Sequence, residues 1–162
     1  MKIISIMIVG IALFLSACAP TGFLAEDAGY KSALSHTQKG EIYNSLEMKA
    51  SIVATYLNNT VVHCQKKEFE VFLVAVYIDE DSSEKSRQGL YNTAYKVTLA
   101  GQKPLEIKKL EYDDDLIKIA PFRNRWSHYY VVTFPKQKSE TLTLKYRHLS
   151  YGAATLNFQK AP

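Results

Sequence analysis

The sequence predicts an all-β protein, an antiparallel immunoglobulin-like sandwich of about seven or eight strands preceded by a flexible tether. Three observations carry this. Short apolar or alternating runs follow one another from Met48 to Gln159, each bounded by turn residues. No segment sustains a helical period across several turns. The chain has 162 residues, is 47% hydrophobic and is 22% charged, which suits one globular domain and not a disordered chain. The cysteine and tryptophan arrangement of antibody domains is absent, so the expectation is of an architecture and not of a family. No internal repeat or low-complexity segment interrupts the chain.

The N-terminus comes first. Met1-Lys2 precede an apolar run from Ile3 to Leu15, and small residues follow before Cys18. A charged start, an apolar stretch and a small-residue cleavage site make a secretory signal. The run falls short of the roughly 20 residues of a spanning helix. Leu15-Ser16-Ala17-Cys18 resembles the lipobox of bacterial lipoproteins. The resemblance covers the signal region alone and implies that residues 1–17 are removed and that Cys18 is acylated. Several acyl chains on one cysteine would hold the protein stably at a membrane, each buried CH₂ contributing about 0.8 kcal/mol. Ala19 follows Cys18, where Asp would retain such a protein in the inner membrane. By the same resemblance Ala19 implies the outer membrane, facing the periplasm or the surface, in a host that has one.

Residues 18–40 contain Pro20, Gly22, Gly29 and Gly40 with no persistent period, and read as a lipidated tether. A short helix near Asp27 to Leu34 is the one element expected within it. The sandwich is expected over 41–162. Between Ile42 and Leu57 two patterns compete. Ile42, Leu46, Met48, Ala50, Ile52, Ala54 and Tyr56 alternate with polar residues, whereas Ile42, Leu46, Lys49, Val53 and Leu57 make a rough helical stripe. A strand from Met48 to Leu57 is preferred, because Ile52-Val53 and Thr55-Tyr56 are strand formers. Phe69 to Ile78 is apolar on both faces, as in a central strand, apart from Glu70. Tyr91 to Leu99 alternates, Ala100 to Pro104 is turn chemistry, and Leu105 to Tyr112 is expected to pair back as a hairpin. Tyr129 to Phe134, Leu142 to Tyr146 and Ala154 to Phe158 complete the set.

The charge balance is modest. A formal +4 at pH 7, including the Lys2 of the leader, gives no case for nucleic acid. With Cys18 assigned to lipid, Cys64 has no internal disulfide partner. It is either a small buried or half-buried residue, a thiol that pairs with another chain, or a reactive thiol, with His63 the one neighbour that could activate it. His63-Cys64 also offers two soft metal ligands, without further ligands nearby. Asp79-Glu80-Asp81 and Asp113-Asp114-Asp115 lack the glycine and distant glutamate of a calcium loop, and read as solvated acidic turns. There is no phosphate-cradling glycine loop, no nucleophile elbow and no paired-histidine metal motif, so no cofactor is expected. Ser127-His128 are neighbours whose side chains diverge in a strand. A triad assembled from a distant serine, an aspartate and His36, His63, His128 or His148 is the residual hydrolase reading.

One segment stands out. Pro121 to Tyr130 concentrates Arg123, Arg125, Trp126, His128, Tyr129 and Tyr130. Arginine and tryptophan are the residues that interface hot spots favour, and an exposed aromatic ring also stacks on sugars. The plainer expectation buries Trp126 and one of the two tyrosines in the core. The resulting expectation is a non-enzymatic accessory or interaction module of the cell envelope, held by lipid on Cys18, with another envelope protein as partner. A glycan- or peptidoglycan-binding module is the alternative, and an envelope hydrolase a third.

Overall fold

A computed structural model describes residues 28–61 and 68–161. Cys18, Ala19, His63 and Cys64 lie outside these. The chain enters through α1 (Ala28–Ser35) and continues as β1 (Thr37–Asn44), β2 (Glu47–Tyr56), β3 (Phe69–Ile78), β4 (Tyr95–Leu99), β5 (Glu106–Leu110), a short α2 (Asp115–Lys118), β6 (His128–Pro135), β7 (Thr141–His148) and β8 (Gly152–Gln159). Two antiparallel sheets result, one ordered β1-β2-β3-β6-β5 and the other β4-β7-β8. The strands β2 to β8 carry the pairing order of a seven-stranded constant-type immunoglobulin sandwich, with β1 added at one edge.

Alternation explains the interior. Ala50, Ile52, Ala54 and Tyr56 of β2 face Leu142, Leu144 and Tyr146 of β7 and Ala154, Leu156 and Phe158 of β8 across one buried core, with Phe72, Val74 and Val76 of β3 between. Phe72 takes edge-on contacts from Phe134 and Phe158 at 5.9 and 5.2 Å, a geometry that aromatic quadrupoles favour. The opposite face of β3 is also dry. Val71 and Leu73 pack with Leu57, Leu110, Ile117, Ala120 and Tyr129 in a second cluster. Its cover is the β5–β6 connection, whose α2 is N-capped by the Asp114 carboxylate accepting from Leu116 N–H at 2.9 Å. β3 is therefore the central strand that its sequence suggested, and a connection, not a third sheet, completes its burial.

Four expectations change. The short helix expected near Asp27 to Leu34 forms as α1 (Ala28–Ser35), but the tether does not run to Gly40, because β1 begins at Thr37. Its remaining part, 18–27, lies outside the described residues. β1 pairs with β2 through a turn at Ser45-Leu46, with Ser45 at φ 57°, so the region from Ile42 to Leu57 is two strands and the helical stripe is not used. The β4–β5 hairpin does not form. Ala100 (φ 48°) and Gly101 (φ 82°) make the tight turn, and Leu99 and Gln102 exchange both backbone hydrogen bonds. Pairing then stops, because Pro104 has no N–H to give, and Leu105 N–H already donates to Thr133 O in β6 at 2.8 Å. β4 pairs with β7 and β5 with β6, in different sheets. Tyr91, expected in β4, instead closes a 3₁₀ turn over Gly89–Tyr91.

The two sides of the sandwich close differently. On one side β1 lies against β8, and a Cβ built on Gly40 would fall 2.8 Å from Ala154 Cβ and 3.0 Å from Leu156 Cδ2. On the other side the 3₁₀ turn puts Leu90 into the core, and Tyr91 Oη–H donates to Ile107 O of the edge strand β5 at 3.3 Å. Gly40→Val should therefore push β1 off β8 and cost about 1–3 kcal/mol. The same side chain at exposed Ala153 should change stability by less than about 0.5 kcal/mol. Urea unfolding of the two variants measures the difference, and equal midpoints would show that the β1–β8 contact is not tight.

Candidate functional site

The segment that the sequence singled out splits into three parts. Tyr129 and Tyr130 are buried at 2% and 0% exposure, while Trp126 is 80% and Phe122 62% exposed. Trp126 thus leaves the core to the tyrosines, contrary to the plainer expectation. Its presentation has a local cause. Tyr129 Oη–H donates to Asn124 O at 2.9 Å and accepts from Asn124 N–H at 2.8 Å. The Asn124 side-chain oxygen accepts from both Trp126 N–H and Ser127 N–H at 2.9 Å. This double clamp ties the loop to β6 and leaves the indole beside Met48, Ser51 and Tyr77 in a shallow groove. Phe122 sits at φ 58°, unusual for a bulky residue. Arg123 lies over the Tyr112 ring, 4.4 Å from its centroid.

Arg125 and His128 turn elsewhere. With Tyr129 they line a cleft of about 480 Å³, together with Lys85, Lys109 and Tyr112. His128 is half-buried, and its Nε2 lies 3.7 Å from the Asp81 carboxylate. Burial, then the nearby Lys109 charge, lower its pKa, and Asp81 opposes them without cancelling them.

Asp81 was expected in a solvated turn and is turned inward instead. Its carboxylate accepts from Gly89 N–H at 2.7 Å, Ser82 N–H at 2.8 Å and the Asn92 side-chain amide at 3.2 Å. It organises the β3–β4 loop. Gly89, at φ 58°, admits that loop close to the core, since a Cβ there would lie 2.2 Å from Tyr130 Oη.

The described histidines do not converge. His36 precedes β1, His128 opens β6 and His148 ends β7. Ser35 Oγ lies 3.0 Å from His36 Nδ1, but that nitrogen also meets Ser32 O at 2.8 Å. The carbonyl contact requires a hydrogen on Nδ1, which cannot then accept the serine proton. His148 Nδ1 accepts from Ser150 and Tyr151 N–H, and the ring stacks on Tyr151 at 4.1 Å. Among the described residues no group of three or more His, Cys, Asp or Glu is placed to hold a metal ion. No family of proteins, curated protein or solved structure matches the chain.

Sequence reasoning missed Glu70, where β3 starts. It is fully buried. Its carboxylate accepts from Tyr56 Oη–H at 2.6 Å, Gln137 N–H at 3.0 Å and Lys160 Nζ at 3.0 Å, with Lys136 Nζ at 3.6 Å. Burial pushes its pKa up, but the Tyr56, Gln137 and Lys160 hydrogen bonds and the Lys136 charge prevail, leaving it below the usual 4.5. The one signal in the sequence is a carboxylate inside an otherwise apolar strand. A folded-state pKa below the unfolded one stabilises the fold above about pH 4.5, and that contribution disappears as pH falls through the folded value. Glu70→Gln should lose about 3 kcal/mol or more at pH 7, because it leaves Lys160 without its charge partner. The gap to wild type should narrow towards pH 3 as Glu70 itself is protonated. Thermal melts at both pH values test this, and a gap independent of pH would remove the electrostatic account.

Proposed function

We propose that the chain is an exported lipoprotein, held at a membrane by acyl chains on Cys18, whose β-sandwich is a non-catalytic docking module for another envelope protein. The membrane is the outer one, facing the periplasm or the surface, in a host that has two. The lipobox resemblance supports the anchor. Among the described residues no helix is long and apolar enough to cross a membrane.

The observation that carries the docking role is the Trp126 loop. A tryptophan at 80% exposure is a large apolar surface left in water. Its backbone is clamped by Asn124 and Tyr129, so little backbone freedom remains to be lost on binding. Tryptophan with neighbouring arginine is what binding hot spots contain. The second reading is glycan binding, and Trp126 beside Ser51 and Tyr77 favours it. An indole face flanked by hydroxyl groups can stack on a sugar ring and bond its hydroxyls.

Crosslinking of the lipidated protein in its native cells tests the first reading. One abundant envelope protein should be captured, and Trp126→Ala should reduce its capture by about tenfold or more, the size of a hot-spot loss. Undiminished capture by Trp126→Ala would remove the loop from the interface. Retention on isolated cell wall that depends on Trp126, with no protein captured, would replace the docking role by glycan binding. The anchor has its own check. Cys18→Ser should abolish fatty-acid labelling, and label persisting on that variant would overturn the lipobox assignment.

A further inference from the structure

We propose that the cleft between the β3–β4 loop and the β5–β6 pair binds an anionic group, a phosphate or a carboxylate. The cleft encloses about 480 Å³, ample for such a group and part of the molecule bearing it. Lys85 enters from the loop, Lys109 from β5, and Arg125 from the segment before β6. None of the three makes an ion pair among the described residues. Lys39, Lys49, Lys118, Lys136 and Lys160 each face a carboxylate within 4 Å, and the lysines without such a partner outside the cleft, such as Lys96 and Lys145, lie on open strand surfaces and not on its lining. Glu111 is the one carboxylate on the lining, against three full cations. Asp81 stands behind His128 and is committed to Gly89, Ser82 and Asn92.

The walls are built before any ligand arrives. The Asp81 hydrogen bonds set the loop, and Tyr130 Oη–H donates to Gln88 O at 3.1 Å, fastening it to the core. Tyr129, on the opposite wall, is held by its two bonds to Asn124. Three cations share the lining with one carboxylate, and an anion seated there is attracted by all three. Arg125 supplies the planar fork suited to either group, and Lys85 and Lys109 act as point charges. His128 shares the lining. It is held towards its neutral form by burial and Lys109, against Asp81, and Lys85 and Arg125 share its lining. A bound anion offsets the cations and favours its protonation. His128 therefore reports occupancy. This site is independent of what the Trp126 loop binds.

The test follows the imidazole resonances of the full chain in detergent micelles by NMR as pH is varied. Inorganic phosphate, acetate and chloride are compared at equal ionic strength. Phosphate or acetate should raise the His128 midpoint relative to chloride and leave His36 and His148 in place. A response to phosphate alone assigns a phosphate ligand, and a response to acetate alone a carboxylate ligand. The double variant Lys109→Ala with Arg125→Ala should weaken the effect by about tenfold or more. Identical His128 midpoints in all three anions would overturn the proposal. So would equal shifts at all the described histidines, which is screening and not binding. Both comparisons can be made on the unaltered protein and do not require the variant to fold.

Discussion

β3 is buried on both faces over most of its length, and much of the architecture follows from covering it. Its inner residues Phe72, Val74 and Val76 are fully buried, and so, within 2%, are Val71 and Leu73 on the other side. The β4-β7-β8 sheet covers the first set. Nothing in a two-sheet sandwich covers the second, so the β5–β6 connection is drawn across it, burying Ile117 and Ala120 against Leu73 and Tyr129. At roughly 25 cal/mol per Å² of apolar area removed from water, a few aliphatic side chains hold such a crossing in place. The Trp126 loop and Arg125 lie at the end of that connection. The candidate binding residues are thus positioned by a packing requirement of the core.

Buried carboxylates fix the chain where apolar packing cannot. Glu70 joins Tyr56 of β2, the β6–β7 loop at Gln137 and Lys160 just after β8. These segments are distant in sequence, and a hydrophobic contact among them would not specify which groups meet. A charged acceptor with three directed partners does, at the expense of pH sensitivity. Asp81 does the same locally, where a left-handed Gly89 offers its N–H. The loop is tied in this way to the turn at Gly89 and, through Gln88 O, to Tyr130 of β6.

The fold class was legible because burial alternates cleanly in β4, β7 and β8, and because β3 is apolar apart from Glu70. β1 was not, since one residue of its eight, Ile42, is buried, leaving no pattern for a period of two to act on. Strand pairing was misjudged where local turn chemistry was correct. Ala100-Gly101 does turn as a hairpin would, but alternation records which face is buried and not which neighbour pairs, and Pro104 was the only residue that spoke against pairing. Trp126 was concealed by its size, which argues for burial. What exposes it is Asn124, whose side chain and backbone engage Phe122, Trp126, Ser127 and Tyr129, and a loop asparagine does not announce that. The cleft was illegible for a simpler reason. Its cations lie at positions 85, 109 and 125, and only the crossing of β4 to β5 between sheets brings them together.

Arg125 and Trp126 are adjacent in the chain yet serve different surfaces, one lining the cationic cleft and the other the groove with Tyr77. The chain bends through residues 125–127 before β6 begins, so the two side chains leave it in different directions, but divergence alone would not hold either one in place. Asn124 does that for both, because its carboxamide oxygen binds the N–H groups of Trp126 and Ser127, which flank the loop's exit into β6. Tyr129 holds Asn124 in turn, and is itself packed in the second core cluster against β3. The order of support therefore runs from the dry outer face of β3, through Tyr129 and Asn124, to two exposed side chains. A side chain fixed this way loses less freedom on binding than one on an unsupported loop. The exposed tryptophan and the unpaired arginine thus rest on one loop asparagine, and that asparagine on a core tyrosine whose ring also keeps water from β3.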